Sequence, residues 1–491
     1  MEITKYFEDK TIFISGSTGF LAKLFLEKIL RIQPKVKKIF LLIRTIPEKS
    51  VEQRLHDEVF SVELFRVVNK EFDSNAGLLE KVVPVSGDVS LENLGIIDSR
   101  VREEIWREVD IFVNSAATTK FDERYDVALG INVLGAMHVQ DFARKCSKLE
   151  MLLHVSTAYI HGTRAGLILE EPIHMGQTLP GAKISYLDIN METKIIEERL
   201  KELQALNATQ KEITSVMKDL GIERAKLHGW PNTYSFTKAM GEMMISEEMK
   251  GKDYKLIIMR PTIITSTYRE PFPGWIEGLR TLDALFAAYG KGKLTFFLAD
   301  PQSILDMIPG DMVVNCMLAA IARHSNQPSR DLTIYHVGSS RRNPICLKDV
   351  QSLMYNYLLQ KPFLDDRGKP IKVGEVTILS SMSSFHRYIE VHYRPFLKIL
   401  KLLNMIFCNK FERSYTSSSR AVDYILRLVE LYKPYTLFQG IFDDANTEGL
   451  QITIRECNSN ADMFDFDPKC IQWEEYLMNT HFPGVVKYGL E

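Results

Sequence analysis

The sequence predicts a doubly wound α/β protein followed by a smaller, mainly helical region. Three observations carry this. Apolar, β-branched runs alternate with helical patterns from residue 11 to about 260. A glycine-bearing turn stands between the first run and the first helix, and the alternation has stopped by about residue 345. Strand–helix alternation at this spacing builds parallel βαβ units, because each strand needs a crossover helix to return alongside its neighbour. A chain of 491 residues is long for a single core and divides into residues 1–345 and 346–491.

The predicted strands are Thr11–Ser15, Lys38–Ile43, Val82–Val85, Ile111–Asn114, Leu152–Ser156 and Leu256–Arg260. Amphipathic stretches such as Phe20–Arg31 and Ile131–Lys145 lie between them. One segment breaks the rhythm. Residues 188–226, rich in Glu, Lys, Leu and Met, read as two solvent-facing helices inside an insertion of about 163–230. Beyond residue 345 the most apolar stretch is Tyr393–Phe407, interrupted by Lys398, Lys401 and Asn404. It reads either as a core helix of the second domain or as an anchor lying in a membrane interface.

Composition narrows the function. Apolar residues at 45% and charged residues at 25% are ordinary for a globular protein. A net charge of -2 gives no overall attraction for polyanions, so no nucleic-acid partner is expected. Cys146, Cys316, Cys346, Cys408, Cys457 and Cys470 are scattered without zinc-type spacing, which argues for reduced thiols and no metal site. The first strand begins within ten residues of Met1, leaving no room for a secretory or plastid leader. The final residues form neither a peroxisomal nor a prenylation signal. No uncharged apolar run approaches the roughly 18–20 residues needed to span a bilayer.

The cofactor site is read from the turn Ser15-Gly16-Ser17-Thr18-Gly19-Phe20-Leu21-Ala22. A glycine there lets the backbone approach a pyrophosphate, and the helix that follows offers free N–H groups and the positive end of its dipole. Ala22 supplies the small residue needed for helix–strand packing. Gly16, Ser17, Thr18, Gly19, Phe20 and Leu21 are therefore assigned to the cofactor. The second strand ends in Arg44 with no acid until Glu48, which favours a 2′-phosphate and hence NADPH over NADH. Asp88, after the third strand, is placed to accept from the adenine amino group. Asn114 and Ala116, after the fourth, lie where the chain passes close to the cofactor.

Carbonyl reduction needs an acid for the developing alkoxide, and a tyrosine serves at neutral pH when a cation stands near it. Tyr-x-x-x-Lys places both side chains on one helix face, but this spacing occurs at Tyr6, Tyr234, Tyr289 and Tyr357. Only Tyr234 and Lys238 follow the fifth strand and run into a helix leading to the sixth. Ser156 and Thr157 end the fifth strand, and alternation sends their hydroxyls to opposite faces. Thr157 is preferred as the group that orients the carbonyl. Asn132 is a candidate to hold a water relaying protons to the lysine.

With these residues in place, the chain resembles the plant alcohol-forming fatty acyl-CoA reductases, within the extended short-chain dehydrogenase/reductase superfamily. The likeness covers nearly the whole length. It includes Phe121-Asp-Glu-Arg-Tyr-Asp126, His228-Gly-Trp-Pro-Asn-Thr-Tyr234, Glu270-Pro-Phe-Pro-Gly-Trp-Ile-Glu-Gly278, Tyr335-His-Val-Gly-Ser-Ser340, Gly440-Ile-Phe-Asp-Asp444 and Phe464-Asp-Phe-Asp-Pro468 with Trp473. The resemblance implies a Rossmann-type catalytic domain and a C-terminal domain of the family's type. It also implies reduction of a long-chain acyl-CoA by two NADPH to a primary alcohol, with Tyr234 and Lys238 as the family's pair. A helical insertion between Thr157 and Tyr234 is shared by these relatives. A location at the cytosolic face of the endoplasmic reticulum, bound peripherally, is also implied.

Two other readings share the cofactor residues. One is an extended reductase of a sugar nucleotide, sterol or flavonoid, which would carry no such C-terminal domain. The other is a non-catalytic nucleotide-binding scaffold. Chain-length preference, release of aldehyde rather than alcohol, and oligomeric state are not encoded in any local pattern.

Overall fold

The computed structural model describes residues 2–72, 80–249, 254–325, 332–407, 412–457 and 461–490. Its centre is a parallel sheet of seven strands: β1 Thr11–Ser15, β2 Lys38–Ile43, β3 Val82–Ser86, β4 Ile111–Asn114, β5 Met151–Val155, β6 Lys255–Pro261 and β7 Leu332–Val337. Their order is β7-β6-β5-β4-β1-β2-β3, so the chain reverses direction across the sheet between β1 and β4. In such sheets ligands bind at that reversal, outside the carboxyl ends of the strands. The chain has the doubly wound Rossmann-type fold that its alternation predicts.

The strands are apolar throughout because both faces are covered. Ile12 and Ile14 of β1 pack to one side, where helix α1 (Phe20–Ile32) lies. Phe13 points to the other side and stacks on Phe112 at 4.6 Å, with Phe142 of α2 (Gly135–Ala143) beside them. Six strands fall where the sequence puts them. β7 is the addition: Thr333 and His336 interrupt its apolar run, and its pairing with β6 supplies what the pattern does not show.

The insertion forms α3 (Ile189–Ala205) and α4 (Gln210–Leu227). Asp188 caps the first; Thr209 and Glu212 make a capping box on the second. They are not wholly solvent-facing as expected. Ile196, Leu203, Ile213, Met217 and Ala225 bury one face against Tyr125, Trp230 and Phe236. Glu192 is buried there. Burial pushes its carboxyl up, but hydrogen bonds from His228, Arg224 and Tyr125 outweigh this and hold it down at about 2. The insertion is thus bolted to α5 (Thr233–Glu247), the helix carrying Tyr234 and Lys238.

Segments late in the chain return to the catalytic region: Gly440–Phe442 pairs with Gly166–Ile168, and Thr377–Leu379 with Phe296–Leu298. The helices α6 (Gly310–Ser325), α7 (Leu347–Gln360), α8 (Met382–His392), α9 (Arg394–Ile406) and α10 (Glu412–Thr436) complete the part needed below. The core-helix reading of Tyr393–Phe407 fails on its outer side. Leu400 and Asn404 of α9 are buried, but Phe396, Ile399, Leu402, Met405, Ile406 and Phe407 are each more than half exposed. No helix among the described residues is long and apolar enough to cross a membrane. Cys146, Cys316, Cys346 and Cys470 are thiols; Cys408 lies outside the described residues.

Candidate active site

A cavity of about 680 Å³ opens over the carboxyl ends of β1, β4 and β5 and runs on beneath α7 and α10. Its nucleotide end is built by the turn after β1. Gly16 sits at φ +70°, and a Cβ there would lie 2.7 Å from the Ala116 backbone nitrogen, so only glycine lets the two segments approach. Gly19 is the N-cap of α1, whose first N–H groups face the cavity. Gly16, Ser17, Thr18, Gly19, Phe20, Leu21, Arg44, Asp88 and Ala116 all line it. The serine hydroxyl of Ser17 bonds the Ile14 carbonyl at 2.9 Å and so shapes the turn. Asp88 holds its own loop through Ser90, whose N–H and hydroxyl donate at 2.9 and 2.8 Å. These residues fit a dinucleotide.

Asn114 departs from its assignment. It is absent from the cavity wall and buried behind it, bridging Ser15 Oγ (2.6 Å) and His154 Nδ1 (3.0 Å). The alternation that exposes Ser115 and Ala116 to the cavity turns Asn114 inward. Conversely, Arg54 joins Arg44 on the cavity wall, ten residues away in sequence, its guanidinium donating to the Arg44 carbonyl.

The reactive end is set by α5. Asn232 caps this helix through Ser235 N–H at 2.9 Å and donates to Tyr435 Oη at 2.8 Å. Tyr234 and Lys238 then face the cavity one turn apart. The Thr157 side chain stands beside the Tyr234 phenol, near enough to favour its ionised form. Thr157, not Ser156, is the hydroxyl brought to the tyrosine; Ser156 Oγ is buried and makes no hydrogen bond. Burial pushes the Tyr234 phenol up to about 12, partly opposed by the Thr157 side chain and the charge of Arg280. Lys238 is buried, and desolvation lowers its ammonium to about 8 against the opposing pull of Glu242. Its Nζ donates to the Val155 carbonyl at 2.7 Å and lies 3.3 Å from His154 Nε2.

Asn132 is engaged on both sides by protein groups. Its carboxamide accepts from Thr118 N–H at 3.0 Å and donates to the Thr118 carbonyl and to Thr237 Oγ1. It clamps the loop after β4 to α5, and no hydrogen bond joins it to Lys238. Of the three other Tyr-x-x-x-Lys tyrosines, Tyr6 donates to Glu150 and Tyr357 packs on Phe286, both off the cavity wall, whereas Tyr289 lines the apolar part of the cavity and donates to the Gly374 carbonyl.

Four contributors were invisible in the sequence. Arg280 is placed by the loop carrying Glu270–Gly278, which Asp311 of α6 holds through three backbone N–H groups. Lys28 and Arg31 of α1 bind Glu270, and Phe20 stacks on Trp275 at 5.1 Å. Tyr435, at the end of α10, stacks on Phe121 at 4.7 Å and meets Tyr159 edge-on, forming an aromatic wall beside Tyr234. His154 and Arg54 are the others. Beyond this wall the cavity is apolar, lined by Leu285, Tyr289, Phe297, Met354, Val376 and Leu431.

The fold and this nucleotide cradle define an oxidoreductase of the extended short-chain dehydrogenase/reductase class. The chain belongs to the Male sterility protein family, whose descriptions match residues 14–317 and 392–491. It is 49% identical to the "Alcohol-forming fatty acyl-CoA reductase" of Simmondsia chinensis, covering 99% of each chain. It is 50% identical to "Fatty acyl-CoA reductase 1" of Arabidopsis thaliana, again over 99% of each. Among solved structures, the reductase domain of a non-ribosomal peptide synthetase from Mycobacterium tuberculosis shares the fold. The TM-score is 0.56 at 15% identity, covering 99% of this chain and 93% of that one.

Proposed function

We propose that this enzyme reduces a fatty acyl-CoA to a primary alcohol with NADPH, using Tyr234, Thr157 and Lys238. The observation that carries the reading is the placement of Tyr234 and Thr157 between a nucleotide cradle and an apolar channel. An acyl chain fits the channel while its carbonyl meets the two hydroxyls. The identity to plant relatives named for fatty acyl-CoA supports the substrate class. The C-terminal family match over 392–491 counts against a sugar-nucleotide, sterol or flavonoid reductase.

When bound, the nicotinamide supplies hydride to the carbonyl carbon. Tyr234 and Thr157 donate hydrogen bonds to the developing oxyanion, fixed in a site from which bulk water is displaced. After the thioester stage the tetrahedral adduct collapses and the CoA thiol leaves. At the aldehyde stage, which takes a second hydride and hence a second NADPH, Tyr234 passes its proton to the alkoxide. Lys238, as an ammonium, favours that transfer and offers an N–H to the ribose. Replacement Tyr234→Phe should cut NADPH oxidation with palmitoyl-CoA by about 100-fold or more; near-normal turnover would overturn the assignment. Gas-chromatographic analysis of the product distinguishes alcohol from aldehyde.

The preference for NADPH rests on Arg44 and Arg54 beside the end of β2. Arg44→Ser should lower the ratio of kcat/KM for NADPH over NADH by about tenfold. We also propose peripheral attachment to the cytosolic face of the endoplasmic reticulum through α9. Its exposed apolar stripe is flanked by Arg394, Lys398 and Lys401, the charge pattern that suits an anionic lipid surface. Flotation with phosphatidylserine-containing vesicles tests it: Leu402→Asp with Ile406→Asp should abolish binding, and unchanged flotation would refute it.

A further inference from the structure

Lys238 has an unusual set of partners. It is buried at 1% exposure, and among the described residues no carboxylate is bonded to it. Glu242, one turn along α5, is engaged by Arg260, which grips both its oxygens from β6. Two groups hold the ammonium: the Val155 carbonyl and the His154 ring, both on β5. We infer that His154 is a positioning residue for the reaction, a neutral acceptor that holds the Lys238 ammonium at the active site, with its tautomer set by Asn114. The inference rests on Lys238 acting with Tyr234 as proposed above.

An ammonium carries three donors and no acceptor. With Val155 O and His154 Nε2 taking two, the third is left for the nucleotide ribose. Nε2 accepts only if the ring proton sits on Nδ1, so a group beyond Nδ1 must accept it. Asn114 is there, its Nδ2 lying 3.0 Å from Nδ1 while its Oδ1 accepts from Ser15 Oγ at 2.6 Å. This role requires the carboxamide turned over, its oxygen on Nδ1 and its nitrogen on Ser15 Oγ; the serine hydroxyl either donates or accepts, so both contacts survive the exchange. This explains a conspicuous arrangement: Asn114, Ser15 and His154 are all buried behind the cavity in one hydrogen-bonded row ending at Lys238.

The chemistry favours an imidazole over an acid. A carboxylate in this place would hold the lysine but would also cancel its field at Tyr234. A neutral ring supplies the hydrogen bond and leaves the charge intact. His154 remains neutral because burial, and then the charge of Lys238, push its pKa well below the usual histidine range. The charged and titratable groups around Lys238 are Tyr234 and Glu242 on its own helix and His154 on β5. Arg260 on β6 stands behind Glu242, with His161 and His336 as its other neighbours.

The test is the pH dependence of kcat/KM for NADPH oxidation by the full-length enzyme with palmitoyl-CoA. Reduction needs the charged lysine, so activity falls as pH rises through its pKa. His154→Leu should move this basic limb to lower pH by about one unit. His154→Gln, whose carboxamide oxygen reaches the Nε2 position, should restore it. His154→Asn, which reaches only the Nδ1 position, should not, and it serves if the leucine variant fails to fold. Limbs that coincide with that of the parent in variants of native melting temperature would overturn the inference, as would equal, pH-independent losses in all three. Tyr234→Phe separates the two claims. If it remains active, the site assignment falls; if it is inactive while the limbs coincide, only the role of His154 falls.

Discussion

Helices α5 and α9 invert what their sequences advertise. The first reads as a mixed segment with a lysine, two glutamates, serines and threonines, yet eleven of its fifteen residues are buried. The second has the broad apolar face of a core helix, yet only two of its thirteen residues are buried. In α5 the inward charged groups and Thr237 have counterparts: Thr237 bonds the Thr233 carbonyl, Glu242 grips Arg260, and Lys238 meets Val155 and His154, while the hydroxyls of Thr233 and Ser246 are buried without one. A buried charged group is tolerable only when bonded, so the helix at the reaction centre is also a highly constrained one. In α9 most of the apolar face is exposed among the described residues, and exposed patches of this kind mark contact surfaces. One helix concentrates chemistry in a rigid interior; the other presents a surface.

The contrast can be broken by substitution. The largest effect is expected at Glu242→Ala, which leaves the Arg260 guanidinium buried and unpaired. Breaking such a pair costs about 3–5 kcal/mol, read as a lowered denaturation midpoint. Next is Gly241→Ala: its Cβ would lie 2.2 Å from the Asn132 carbonyl oxygen, where α5 crosses the helix after β4. Overpacking against backbone costs about 1–3 kcal/mol and should disturb the Asn132 clamp on Thr118, lowering turnover as well as stability. The smallest effect belongs to α9. Leu402→Asp or Ile406→Asp should change stability by no more than about 0.5 kcal/mol each, since these side chains already face solvent. A large loss of stability there would mean that the exposed face packs against protein after all, and the comparison would collapse.

Much of the fold was legible because parallel strands buried on both faces are continuous apolar runs, and six of the seven announced themselves this way. β7 did not, because Thr333 and His336 interrupt its apolar run; the His336 ring is accommodated by a tertiary partner, the Asp443 carbonyl at 2.8 Å from Nδ1. The glycine turn was legible because its conformation is a local property of Gly16. Tyr234 and Lys238 were legible as a pair by helical spacing, and they were separated from three identical spacings by their place between β5 and β6. Asn114 was misplaced because a strand end does not reveal which of two adjacent residues faces the cleft. Arg280, Arg54, Tyr435 and His154 carried no pattern at all: Arg280 and Tyr435 reach the site from a distant loop and helix, and Arg54 and His154, though near site residues in the chain, belong to no motif.

The sequence by itself determined the order of strands and helices, the nucleotide turn and the Tyr234–Lys238 face of α5. These depend on backbone geometry within a few residues, where periodicity and glycine content act directly. Only the tertiary structure decided which hydroxyl meets Tyr234, what holds the Lys238 ammonium, and that the most core-like helix of the C-terminal region faces outward. Those outcomes turn on desolvation and on hydrogen-bond partners hundreds of residues apart, as between Asn232 and Tyr435. No local pattern records them, because burial is a property of the assembled chain.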